Sequence, residues 1–191
     1  MQNLTGIINM ITSIGITAYL IAGIIYFGNK KTGYNHYKHT ISELAETGSA
    51  FKKQVSFGLF LPVGLALLYI SFTHNQHETI RGISAALGAG YVIAAFLPCD
   101  KGSPSWGTGK QQLHNLGGFI EYAGSIYFLL KAGEDDTSFL GINFNIIGFI
   151  VAACIIITSI PGNPVRGLAQ RLAELLLFAA LIYLLFGYTG M

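Results

Sequence analysis

The sequence predicts an all-α polytopic membrane protein, a bundle of six transmembrane helices, and three observations predict it. Only 10% of its 191 residues are charged, against about 25% in a soluble domain. Mean hydropathy is +0.54, and apolar runs of about 18 to 22 residues recur, the length that crosses about 30 Å of hydrocarbon at about 1.5 Å per residue. Glycine is abundant, with 24 residues, as expected where small side chains bring membrane helices close together.

The same composition excludes several classes. A net charge of +2 gives no footprint for nucleic acid. Cys99 and Cys154 have no metal or redox spacing. The first apolar segment is longer than a signal-peptide core and no basic stretch precedes it, so it is expected to be retained.

Taken in order, the spans are 7–27, 55–72, 80–97, 113–130, 139–160 and 168–188, in a single domain over residues 1–191. The second contains Pro62, which predicts a kink with Gly58 four residues earlier. Gly15 with Gly23, Gly88 with Ser84, Gly117 with Gly124 and Gly141 with Gly148 are expected at helix–helix contacts. An even number of spans puts both termini on one side, with the loops 73–79 and 131–138. That side carries two basic residues, Arg81 and Lys131, and the first, third and fifth loops carry the other nine of the 11. By the positive-inside rule those three loops are cytoplasmic, the termini are outside, and the protein is a multi-pass protein of the plasma (inner) membrane.

The chemistry gathers on the basic side. In the first loop, Thr40 and Glu43 have capping-box spacing and Gly48 is a stop, so a short interfacial helix is expected over Ile41–Thr47. Glu43 is then a cap or a ligand. His36 and His39, three apart, form with Asp100 and His114 a weak candidate set for zinc or another divalent cation; no cofactor is otherwise predicted. His114 and Glu121 are seven apart, two turns on one helix face, which places Glu121 about 10 Å deeper. A carboxylate at that depth must face the bundle interior and find a partner or a proton. Glu174 lies at a matching depth in the sixth span, where it forms an ion pair with Arg171, packs against Tyr and Asn groups, or joins the site.

The string HTISELAETGS, then FLPCDKG, then LHNLGG at a helix start resembles the family of domain of unknown function 998, six-span prokaryotic membrane proteins, over nearly the whole chain. The positions that carry the resemblance are Ile41, Ser42, Glu43, Leu44, Pro98, Cys99, Asp100 and His114. It implies a fold and a site location and brings no activity with it.

Four functions are open from sequence. The first is a polar cavity on the basic side that binds a lipid or another amphiphile, with His39, Ser42, Glu43, Arg166, Arg171 and Glu174 as binding residues. The second is an enzyme acting on a lipid, with His114, Asp100 and Glu121 as acid–base candidates and Ser42 as a nucleophile without a GxSxG-like setting. The third is a proton-coupled transporter using Glu121 and Glu174, and the fourth a scaffold. Membrane lipids and a homo-oligomer are the expected partners.

Overall fold

A computed structural model of the chain describes residues 2–74, 77–134 and 138–189. Among them are six helices and one small hairpin. Helix α1 is Gln2–Lys30, α2 is Lys52–Thr73, α3 is Glu78–Phe96, α4 is Gly109–Glu134, α5 is Phe144–Thr158 and α6 is Arg166–Thr189. The strands β1 (Ser138–Phe139) and β2 (Ile142–Asn143) pair antiparallel between α4 and α5. Of the loops expected at 73–79 and 131–138, residues 75–76 and 135–137 lie outside the described residues.

Consecutive helices pack on each other from α2 through α6, and α1 closes the ring by touching both α2 and α6. Across the middle, α3 also meets α6. The contact between α3 and α4 is the most extensive of these. Leu59, Val63, Leu67, Ile83, Leu87, Leu177 and Leu181 fill the interior. Ile11, Ile14, Ile21 and Ile25 on α1, Phe119 on α4 and Phe149 and Ile156 on α5 face outward, where a soluble protein could not leave so many apolar groups. The outward face is apolar because its solvent is lipid.

Four helices, α1, α2, α3 and α6, are each long and apolar enough to cross a membrane. Helix α4 has the length, with 26 residues, but its polar residues lower its hydropathy. Helix α5 has the hydropathy, but its 15 residues rise only about 22 Å.

Several local expectations are met and others corrected. Pro62 is absorbed by one π-helical stretch, Ser56–Phe60. Having no N–H, Pro62 cannot bond the Gly58 carbonyl as an α-helix would require, and the Tyr19 hydroxyl donates to that carbonyl instead. Gly64 and Gly88 pack reciprocally, since a Cβ on either would fall 3.0 Å from the other's carbonyl oxygen. Gly117 lies on Ile93 and Gly124 on Ala86, as expected of the α3–α4 contact.

Gly15 packs on nothing within reach, and Gly141 is not helical at all. The fifth helix begins at Phe144 rather than Phe139, because Leu140 (φ 51°) and Gly141 (φ 81°) form the turn of the hairpin, the left-handed pair a two-residue hairpin needs. Asn143 then caps α5, its side chain accepting the Asn145 N–H at 2.8 Å. In the first loop the helix shrinks to a 3-10 turn, Ser42–Ala45, with Ile41, Leu44 and Ala45 buried among the helices.

Candidate functional site

The first loop folds over the end of the bundle rather than lying beside it. Glu43 is a cap: its carboxylate accepts the Thr40 N–H at 2.9 Å, and Thr40 Oγ1 accepts the Glu43 N–H at 3.3 Å, the reciprocal pair of a capping box. Arg171 leaves Glu174 alone and reaches back to the loop. Its Nη1 donates to the carbonyls of His36 and His39, and its Nη2 donates to the Tyr34 hydroxyl at 2.6 Å and His36 Nδ1 at 3.1 Å. The expected ion pair with Glu174 is therefore not formed; carbonyls and a phenol solvate the guanidinium instead. Burial pushes the Tyr34 hydroxyl up to about 12, against the opposing pull of Arg171. Burial, then the Arg171 charge, holds His36 below the ordinary imidazole value. His39 Nδ1 accepts the Asn35 N–H at 2.8 Å.

The third loop is tied down by residues the sequence suggested for chemistry. Asp100 accepts the Thr108 N–H at 2.9 Å and its hydroxyl at 3.1 Å, while the Asp100 N–H donates to Gln111 Oε1 at 2.6 Å. Thr108 Oγ1 in turn accepts the Gln111 N–H at 3.2 Å, so Asp100 holds the capping residue of α4 in place. Arg166 donates to the carbonyls of Thr158, Gly102 and Ser103, pinning a segment whose Gly102 and Ser103 both have positive φ. Glu46, which sequence reasoning passed over, bonds Lys31 at 2.7 Å and the Gly102 N–H at 2.6 Å. Cys99 lies beneath, its thiol 3.4 Å from the Ser42 carbonyl and pushed up to about 12 by burial first.

Under this lid, between α4, α5 and α6, is a cavity of about 520 Å³. Ser42, Ser103, Ser105, His114, Asn115, Thr158, Ser159 and Arg166 line its loop end. Phe119, Ala123, Ile126, Ala152, Ile155 and Ile156 line the deeper part. From His114 to Ile126 the α4 backbone rises about 18 Å, and apart from Tyr122 and Gln170 the lining turns apolar with depth. Phe119 and Ile156 remain 68% and 66% exposed, which leaves the apolar end open toward the lipid side. His114 Nδ1 lies 2.8 Å from the Leu97 carbonyl. A carbonyl can only accept, so Nδ1 carries the proton and Nε2 is left for whatever enters the cavity that His114 lines.

A second cavity of about 450 Å³ lies between α1 and α6, with Asn29, His36 and Arg171 at its loop end, Ile21, Ile25 and Leu175 along it, and Glu174 in its wall. Between the two cavities runs a buried polar chain. Gln170, whose Oε1 accepts the Ile41 N–H at 2.7 Å, donates through Nε2 to the Tyr122 hydroxyl at 3.1 Å. Tyr122 donates to Glu174 Oε1 at 2.6 Å and Tyr91 donates to Glu174 Oε2 at 3.0 Å. Glu121 is buried against α3 beside this chain. Glu121 fits because residue 90 is glycine: a Cβ there would collide with its side chain. Gly90, Tyr91, Tyr122 and Gln170 carried no recognisable signal in the sequence, because their roles depend on three helices meeting.

The predicted site thus separates into three. His114, Ser42 and Arg166 share the first cavity; Arg171, His36 and Glu174 share the second; Asp100, Glu43 and His39 serve the loops. Among the described residues no three His, Cys, Asp or Glu side chains gather as a metal site. A family model described as a protein of unknown function (DUF998) matches residues 13–187. The chain belongs to the DUF998 family. No curated protein and no solved structure matches it. Membership and helices fit to span a bilayer make this DUF998 chain a membrane protein.

Proposed function

We propose that this DUF998 protein binds a lipid or similar single-headed amphiphile in the cavity between α4, α5 and α6. The observation that carries the reading is the cavity's gradient from hydroxyl, imidazole and guanidinium groups at the loops to aliphatic and aromatic groups at depth. A headgroup settles among the first set and a chain among the second, entering past Phe119 and Ile156. No carboxylate lines this cavity, so the headgroup it suits is anionic or hydroxyl-rich rather than an ammonium.

The reading places all six helices across the plasma membrane, with α4 turning its polar residues inward and the short α5 completing its crossing with the hairpin before it. Loops one, three and five then face the cytoplasm on the count of basic residues, and the 3-10 turn of the first loop sits at that interface.

A second reading, turnover of the bound lipid, is favoured by one observation: the His114 tautomer leaves Nε2 as a base in the cavity that Ser42 also lines.

Trp106, the only tryptophan, is next to the lining residue Ser105 and tests the reading directly. Titrating lysophosphatidylglycerol into protein held in phosphatidylcholine nanodiscs should give saturable quenching or enhancement of Trp106. His114→Ala should weaken it, and an alkyltrimethylammonium of the same chain length should not compete. An unsaturable, equal response to both amphiphiles would sink the proposal. Release of a fatty acid or headgroup during the titration, lost in His114→Ala, would move the enzyme to the front.

A further inference from the structure

Arg166 is only 7% exposed, and burying a guanidinium is costly unless something carries the opposing charge. Among the described residues no carboxylate pairs with it. Glu46 is taken by Lys31 and the Gly102 N–H, and Asp100 by Thr108. Arg166 meets three backbone carbonyls instead, those of Thr158, Gly102 and Ser103. Carbonyls satisfy hydrogen bonds but do not cancel charge, and three bonds leave two of a guanidinium's five N–H groups over. Arg166 is also the first residue of α6, where the helix dipole favours a negative charge rather than a positive one. The first cavity is thus lined by a buried cation and by no anion.

The other polar groups at this end are mostly acceptors. Ser105 Oγ donates to the Ser159 carbonyl at 3.0 Å, Ser159 Oγ to the Ile155 carbonyl at 2.8 Å and Thr158 Oγ1 to the Cys154 carbonyl at 2.8 Å. A hydroxyl has one proton, so each of these oxygens is left with lone pairs only. His114 is in the same position, its Nδ1 proton given to the Leu97 carbonyl and its Nε2 bare. We infer that the first cavity takes an amphiphile whose headgroup is a phosphate ester carrying free hydroxyls. The phosphate supplies the charge that Arg166 lacks, and the hydroxyls donate to His114 Nε2 and the Ser and Thr oxygens. The inference rests on the amphiphile reading above and narrows its headgroup from anionic or hydroxyl-rich to both at once. A polyol without phosphate leaves the guanidinium unbalanced. A phosphate ester without hydroxyls sets its own acceptor oxygens against those of the cavity.

Three amphiphiles of one chain length, titrated into the protein in phosphatidylcholine nanodiscs and followed at Trp106, test this. Dodecyl phosphoglycerol has the charge and the hydroxyls, dodecyl methyl phosphate the charge alone, and dodecyl glycerol ether the hydroxyls alone. The wild type should bind the first about 10- to 100-fold more tightly than the glycerol ether, the range for charge-assisted hydrogen bonds, and about 3- to 10-fold more tightly than the methyl phosphate. Arg166→Gln should erase the first preference and keep the second, whereas an Arg166 that only pins the loop would weaken all three equally and leave both. Equal wild-type affinity for the phosphoglycerol and either of the others overturns the inference and leaves the amphiphile reading standing, as does an Arg166→Gln that keeps both preferences. Glycerol phosphate, the headgroup without a chain, should not compete at equal concentration; if it does, the site is one for a free phosphate ester and the lipid form is overturned. No saturable binding of any amphiphile brings down the amphiphile reading and this inference with it. Should Arg166→Gln not fold, the wild-type order of the three decides the matter.

Discussion

Tyr122→Phe removes one oxygen atom and is the sharpest test of the polar chain in the bundle's centre. Two hydrogen bonds go with that oxygen: the 2.6 Å donation to Glu174 and the 3.1 Å acceptance from Gln170. Tyr91→Phe removes a single bond, of 3.0 Å, to the same carboxyl. Hydrogen bonds to a charged group contribute about 1.5–3 kcal/mol in proteins generally, whereas interhelical bonds in membranes average about 0.6 and reach about 1.7. The membrane range governs here, so Tyr91→Phe should cost about 1–1.5 kcal/mol. Tyr122→Phe should cost about 2–3 kcal/mol, because it also strands a buried Gln170 N–H. Both tyrosines are at least nine-tenths buried, so solvent screening does not erode the difference. Reversible unfolding in mixed micelles, titrated with a denaturing detergent, reads both values. Equal costs, or a Tyr122→Phe cost under about 0.5 kcal/mol, would refute the idea that Gln170, Tyr122 and Glu174 form one chain.

Three further outcomes follow from the loops. Cys99 is fully buried and its thiol is held near 12, so it should resist maleimide labelling at neutral pH until the protein is unfolded. His36 accepts from Arg171 only as a neutral imidazole, and its folded value lies below its ordinary one. Its contribution to stability is then complete above about pH 6.5 and declines as pH falls below that, down to the folded value; His36→Gln should flatten that part of a stability–pH curve. Asp100 clamps Thr108 at the start of α4 rather than lining either cavity. Asp100→Ala should therefore cost about 1–2 kcal/mol, while Asp100→Asn should retain amphiphile binding.

The helices were legible because lipid imposes long apolar runs, and the loops' basic residues were legible because charges avoid hydrocarbon. The first loop's cap could be read as well, since Thr40 and Glu43 are local partners. What escaped were partnerships between distant segments. Arg171 and Glu174 sit at ion-pair spacing, yet the first loop, more than a hundred residues earlier, offers the guanidinium five acceptors counting Gly167 on its own helix. The start of the fifth helix was misplaced because Phe139–Asn143 is as apolar as a helix, and only Leu140 and Gly141 turning left-handed make it a hairpin. Glu121 was recognised as buried and costly, and tyrosine packing was among the alternatives for Glu174, but the glycine pocket of Glu121 and the identity of the tyrosines that bond Glu174 depend on other helices.

The central claim, an amphiphile lodged between α4, α5 and α6, is tested most directly at Gly118. This residue lines the cavity, and a Cβ added there meets nothing within 4 Å, so Gly118→Leu fills the space without disturbing the packing around it. Native mass spectrometry of the protein extracted in mild detergent should show a lipid-sized adduct on the wild type that Gly118→Leu lacks, with unfolding unchanged between the two. Equal adducts on both, or a bare mass on both, would contradict it.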